Sequence, residues 1–158
     1  MHVDPQAEHR WLQRLVGGWT FETTCSMGPD QPPAQSKGSE QVRALGDIWI
    51  LGEGEGEMPG GGIGRTLITL GYDPLKRRFT GSFIGSMMTH LWHYNGTLQG
   101  DVLTLDTEGP SFNDPNQMSQ YQDIVTIRSD SERTLASRVR LPDGNWHDFM
   151  SATYRRVT

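Results

Sequence analysis

The stretch that decides the fold is residues 11–22, WLQRLVGGWTFE. In its first half, apolar side chains recur at helical spacing, which predicts a short amphipathic helix over residues 5–16. Gly17 and Gly18 end this helix, because two consecutive glycines cost backbone entropy that a helix does not recover. Trp19 then begins a run with strand composition. The sequence therefore predicts one short helix that leads directly into a β-strand.

Beyond this stretch the chain has the pattern of short strands separated by turns rich in Gly, Pro, Asp and Asn. About ten such strands without intervening helices predict a sequential antiparallel sheet. Closure of the sheet would remove two long exposed edges. The predicted fold is all-β: a closed up-and-down barrel over residues 17–156, in a single domain of residues 1–158. The predicted strands are 19–26, 38–45, 47–57, 64–72, 78–87, 88–98, 102–108, 121–128, 133–141 and 146–156.

Composition excludes several classes of protein. The chain has 158 residues and a formal net charge of −5, with no basic stripe of the kind that binds nucleic acid. No run approaches the roughly 20 apolar residues of a membrane helix. The N-terminal sequence lacks the pattern of a signal peptide, so we expect a cytoplasmic protein. Cys25 is the only cysteine, which excludes an internal disulfide and a cysteine-based zinc site.

The Gly18-Trp19 pair after a short helix, together with arginines late in the chain, resembles the calycin superfamily of lipocalins, fatty-acid-binding proteins and avidins. In those barrels the tryptophan closes the base and a late arginine packs across it. The resemblance implies that Trp19 seals one end of this barrel with Arg155 or Arg156.

A longer match covers nearly the whole chain and resembles a bacterial family, domain of unknown function 1579. That family is calycin-like and has no established activity, so the resemblance implies the barrel and leaves the function open. The haem-binding nitrobindins are similar in architecture, but residues 20–22 replace their glycine-rich continuation. This difference disfavours haem, and no cofactor is predicted. The matching segments are residues 45–49, 58–61, 70–74, 85–88, 91–92 and 150–156.

Alternation of side chains along two strands predicts which residues face the lumen. Phe83 alternates with glycines, and His90 shares a strand face with Trp92. Rings beside glycines favour an interior with room for a ligand, although a packed core on the same face explains the pattern equally well. His93 points away from His90, so these histidines are not expected to share a metal ion, and no metal site is predicted.

Residues 49–57, WILGEGEGE, have two interpretations. Either Glu53 and Glu55 form a solvated acidic face near a rim, or Trp49 points inward and draws one of them into the lumen. A carboxylate inside would have a raised pKa and could act as a general base. Arg65 would either anchor an anionic group of a ligand or pair with a surface carboxylate.

Three functions follow from these patterns. The first is binding of a small apolar or amphipathic molecule in the lumen by Trp49, Arg65, Phe83, His90 and Trp92. The second is a small hydrolase or isomerase that uses His90, Glu53 or Glu55 as general acid or base. The third is a structural or interaction protein with a filled barrel, in which outward apolar residues form a homodimer face. Whether the protein is an enzyme stays open, because fold does not fix function.

Overall fold

A computed structural model describes residues 1–158 as a closed antiparallel barrel of ten strands with one short helix, which confirms the predicted fold class. Every strand pairs with its neighbours in sequence, and the first strand also pairs with the last, so no edge is left open. The elements are α1 Ala7–Gln13, β1 Gly17–Cys25, β2 Ala34–Leu45, β3 Trp49–Glu57, β4 Ile63–Asp73, β5 Arg78–Gly85, β6 Trp92–Gln99, β7 Val102–Pro110, β8 Met118–Ile127, β9 Glu132–Arg140 and β10 Trp146–Arg156.

Helix α1 is shorter than the predicted 5–16, since it begins at Ala7, two residues after Pro5, and ends at Gln13. The backbone N–H of Gln6 donates to His9 Nδ1 at 2.9 Å, so Nε2 carries the ring proton and donates to the Tyr72 carbonyl at 3.0 Å. The imidazole is almost fully buried. His9 thus starts the helix and also ties it to β4.

Helix α1 and Trp19 fill one end of the barrel. Trp19 is 2% exposed, and its indole N–H donates to the Leu15 carbonyl at 2.9 Å. The Arg156 guanidinium lies 4.3 Å from the Trp19 ring centroid and donates to the carbonyls of Val16 and Arg14. Of the two arginines predicted to pack across Trp19, Arg156 is the one that does so. Arg155 points outward to Glu132 at 3.6 Å, since adjacent strand residues face opposite sides.

The opposite end of the barrel is formed by connections that differ from the predicted pattern. Strand β6 begins at Trp92 and not at residue 88, because Met88–Leu91 form an irregular connection after β5. The β10–β9 register shifts between Asp148 and Met150, a bulge that directs Phe149 and Met150 to the same interior. This end therefore carries more inward side chains than strict alternation allows.

The single helix has seven residues, which is too short to cross a bilayer.

Candidate functional site in the barrel lumen

The lumen between the two ends is not filled by side chains. It contains a cavity of about 640 Å³, within the 300–1,000 Å³ range of small-molecule sites. Most of the lining residues are apolar, and several polar side chains lie among them. The interpretation as a filled barrel is therefore wrong. The cavity has an aromatic mouth, a hydroxyl–carboxyl group at mid-depth and an ion pair at the floor.

Five rings form the mouth, each packed edge to face against a neighbour. Trp92 lies 4.8 Å from His90 and 5.1 Å from Tyr121 between ring centroids. Phe112 lies 5.0 Å from Phe149 and 5.7 Å from Tyr121. Phe112 is 68% exposed, which is unusual for phenylalanine. The mouth thus presents an apolar surface that continues from solvent into the cavity.

His90 is half-buried at this mouth. Its Nε2 lies 3.0 Å from the Glu108 carbonyl, and a carbonyl only accepts, so Nε2 carries a proton. In the neutral ring, Nδ1 is left as an acceptor beside the cavity. His93 directly follows Trp92 on β6 and is exposed on the outer face, as strand alternation predicts.

At mid-depth, three strands contribute a hydrogen-bonded polar group, and a fourth contributes a separate hydroxyl. Asp123 on β8 accepts from the hydroxyl of Tyr94 on β6 and from the hydroxyl of Ser137 on β9, the latter at 2.6 Å. Thr107 on β7 lines the same cavity, is 6% exposed, and its Oγ1 has no hydrogen-bond partner. An unpaired buried hydroxyl costs the folded protein about 1–3 kcal/mol. A ligand group that forms a hydrogen bond with this atom would remove that cost.

Burial governs the proton affinities of this group. It raises the pKa of Asp123, and the hydrogen bonds from Ser137 and Tyr94 oppose that rise by stabilising the carboxylate. Burial, and then the charge of Asp123, raise the pKa of Tyr94 well above its usual value. The hydroxyl of Tyr94 therefore stays protonated and remains a donor to Asp123.

At the floor, Arg133 on β9 reaches across the barrel to Glu40 on β2. The two form an ion pair, with side chains only 7% and 12% exposed. The guanidinium lies 4.7 Å from the Trp19 ring centroid and 3.9 Å from that of Tyr154. Burial is also the main cause that raises the pKa of Tyr154, and the carboxylate of Glu40 adds to it. The positive charge of Arg133 is thus already balanced by Glu40 and stacked on two rings.

The structure brings three of the five predicted ligand-binding residues together. Phe83, His90 and Trp92 all line the cavity. Whether they contact a ligand stays a prediction.

Trp49 and Arg65 lie elsewhere, and their prediction as cavity residues is wrong. Trp49 lies on the outer face of β3, where its ring covers Gly71 so closely that a Cβ at that position would overlap it. Ile50, on the opposite parity, is buried in the lumen. Arg65 is exposed and lies 3.3 Å from Glu55, so it pairs with a surface carboxylate.

The acidic residues of β3 lie on the same outer face as Trp49. Glu53 and Glu55 are exposed on the outer surface, where Glu53 lies 3.8 Å from Arg43. Together with Arg65 they line a polar depression of about 390 Å³ that has few apolar residues. The interpretation of either glutamate as a buried general base is therefore wrong. The interpretation as a solvated acidic face is consistent with their exposure.

The polar residues at mid-depth and at the floor were not predicted from the sequence. One signal for Arg133 was available: it shares strand parity with Leu135 and Val139, whose apolar side chains predict the inward face. The group around Asp123 gave no comparable signal, because its members come from different strands and meet only through the register.

No three His, Cys, Asp or Glu side chains are grouped closely enough to hold a metal ion.

Comparison with known proteins places this barrel in a family. A family model described as protein of unknown function (DUF1579) matches residues 4–156. The chain belongs to this family. A search of curated proteins gave no match.

Solved structures similar to the DUF1579 chain are β-barrels of low sequence identity, so they support the fold alone. Rv2717c from M. tuberculosis is 13% identical, with 98% of this chain and 100% of that chain covered and a TM-score of 0.63. A redesigned β-barrel, b11L5F_LGL, is 14% identical over 94% and 96% of the two chains, with a TM-score of 0.52. The redesigned barrel mFAP1 bound to DFHBI is 16% identical over 93% and 99%, with a TM-score of 0.51.

Proposed function

We propose that this protein binds a small, mostly apolar molecule in the barrel lumen. The observation that carries the proposal is the cavity of about 640 Å³ with a mainly apolar lining. A cavity of this kind lowers stability unless something occupies it, because its walls lose van der Waals contacts. A ligand that fills it would recover those contacts.

The aromatic mouth supports the same function. The ring of Tyr121 packs edge to face against the rings of Trp92 and Phe149, and all three line the cavity. Such rings bind flat apolar molecules at low entropic cost, because each side chain has only two rotatable bonds. The structural neighbour mFAP1 is a redesigned β-barrel of similar fold whose structure is that of the barrel bound to DFHBI.

The test uses 1-naphthylmethanol, a neutral aromatic probe, titrated by isothermal calorimetry. Leu135→Trp adds two rings inside the cavity, and Leu75→Trp makes the same change at a position that is 96% exposed. We expect binding to the unmodified protein and to Leu75→Trp, and loss of binding in Leu135→Trp. Circular dichroism checks that both variants keep the β-sheet spectrum. Equal binding by both variants would rule out a luminal site.

A further inference from the structure

The mid-depth group around Asp123 also indicates the chemical class of the ligand. The carboxyl group of Asp123 is held in a fixed position in the cavity. Tyr94 and Ser137, each at least nine-tenths buried, donate hydrogen bonds to its two oxygens. Each oxygen accepts one of these bonds and keeps a second acceptor site. Asp123 forms no ion pair with any Lys, Arg or His.

The lumen therefore contains two carboxyl groups, Glu40 and Asp123, and one guanidinium, Arg133. Arg133 has its counter-ion in Glu40, which leaves Asp123 as the carboxyl group without a cation beside it. A carboxylate that lines a mainly apolar cavity without a cation is costly, and a positively charged partner offsets that cost. An anionic ligand would add a second negative charge to the same enclosed space.

Thr107 gives an independent indication of a polar ligand group at this depth. Leu105 pairs with Asp123 across β7 and β8, and Thr107 pairs with Tyr121, so Thr107 and Asp123 are diagonal neighbours on the inner face. Diagonal neighbours lie about 7–8 Å apart, a gap that one ligand head group spans. The buried Oγ1 of Thr107 has no partner within the protein.

We infer that the luminal ligand is an apolar molecule with a cationic amine, whose N–H groups donate to Asp123 and to Thr107 Oγ1 while its apolar body contacts the aromatic mouth. This inference rests on the proposed function and narrows it. It also predicts that the lumen discriminates against carboxylates of the same size.

Three probes of one shape test this inference: 1-naphthylmethylamine, 1-naphthylmethanol and 1-naphthoate. We expect the amine to bind about tenfold more tightly than the alcohol at pH 7, because a charge-assisted hydrogen bond is about twice as strong as a neutral one. The carboxylate should bind most weakly. A carboxylate that binds as tightly as the amine would overturn the inference and would assign the site to Arg133.

Asp123→Asn supplies the decisive variant, since it keeps the side-chain shape and removes the charge. It should abolish the preference for the amine and leave the affinity for the alcohol within a few-fold. Asp47→Asn, at an exposed turn position, should change neither affinity. An unchanged ratio of amine to alcohol affinity in Asp123→Asn would overturn the inference.

Thr107→Val is a second variant that does not depend on the folding of Asp123→Asn. It removes an unpaired buried hydroxyl with little change in volume, so the ligand-free protein should become more stable while affinity for the amine falls. Unchanged amine affinity would count against the contact with Thr107. If the alcohol binds and the amine shows no preference, the inference alone fails; if no probe binds, the proposed function fails as well.

Discussion

The indole of Trp92 covers Gly109 on the inner face of the barrel, so closely that a Cβ atom at Gly109 would overlap the six-membered ring. Trp92 is also held by its N–H, which donates to the sulfur of Met88 at 3.0 Å, and by a T-shaped contact with the ring of His90. The position of the largest ring at the mouth thus depends on a residue without a side chain on the neighbouring strand β7.

Gly109→Ala should displace Trp92 from the mouth. We expect the free energy of unfolding to fall by about 1–3 kcal/mol, the usual cost of overpacking, and the affinity for 1-naphthylmethanol to fall with it. Urea unfolding and calorimetry measure the two effects. Glu108→Ala, at the exposed position before it, is the control and should leave both unchanged. A Gly109→Ala protein as stable as the control would contradict the contact.

Arg156 should stabilise the barrel far more than Arg155. Arg156→Ala loses the contact with Trp19 and hydrogen bonds to three carbonyls, so we expect a loss of about 2–4 kcal/mol. Arg155→Ala removes only an exposed ion pair and should cost less than about 1 kcal/mol. Chemical unfolding of both variants measures the difference. Equal losses would mean that Arg156 has no special part in closing this end.

Removal of Glu40 should destabilise the protein strongly, because it leaves the charge of Arg133 buried without a counter-ion. We expect Glu40→Ala to lower the free energy of unfolding by about 3–5 kcal/mol. Arg65→Ala, which breaks the exposed pair with Glu55, should cost less than about 1 kcal/mol. The double variant Glu40→Leu with Arg133→Met should recover much of the loss. Failure of the double variant to recover stability would argue against an uncompensated charge as the cause.

Stability should fall with rising pH above about 10, because Tyr94 and Tyr154 keep their protons in the folded state. Burial raises the pKa of both hydroxyls, whereas in the unfolded chain they ionise near 10. Above that pH the folded state binds more protons than the unfolded state, so the free energy of unfolding decreases by up to about 1.4 kcal/mol per pH unit for each tyrosine.

Tyr94→Phe and Tyr154→Phe should each make this alkaline decline less steep. Urea unfolding at several pH values between 9 and 12 measures the slope. Ultraviolet titration of the folded protein supplies a direct check on the same groups. If all four tyrosines of the folded protein ionised together near 10, the burial of these hydroxyls would be refuted.

The sequence predicts the barrel well because the fold depends on local signals. Strand length, turn composition and the Gly17-Gly18 break each involve only a few adjacent residues, and they predict the helix and the number of strands. Closure follows from that number, because an open sheet of this size would expose two long edges. The inward parity of Phe83 and Trp92 follows from the same alternation.

The sequence of β3 does not show which of its faces points inward, because glycine alternates there with glutamate and both faces carry an apolar residue at the start. Contacts with the neighbouring strand β4 determine the inward face. Trp49 covers Gly71 on the outside, and Ile50 packs with Leu70 inside. Tyr94, Asp123 and Ser137 meet through the register of four strands, and no spacing along the chain records such a register. The polar part of the site therefore required the structure.

The central claim is that the lumen is the binding site, and intermolecular nuclear Overhauser effects from bound 1-naphthylmethanol test it most directly. The account predicts effects between the naphthyl protons and the methyl groups of Leu105, Leu135 and Met150, which line the cavity. Effects confined to methyl groups of the outer surface, such as those of Leu75 and Ile84, would contradict it.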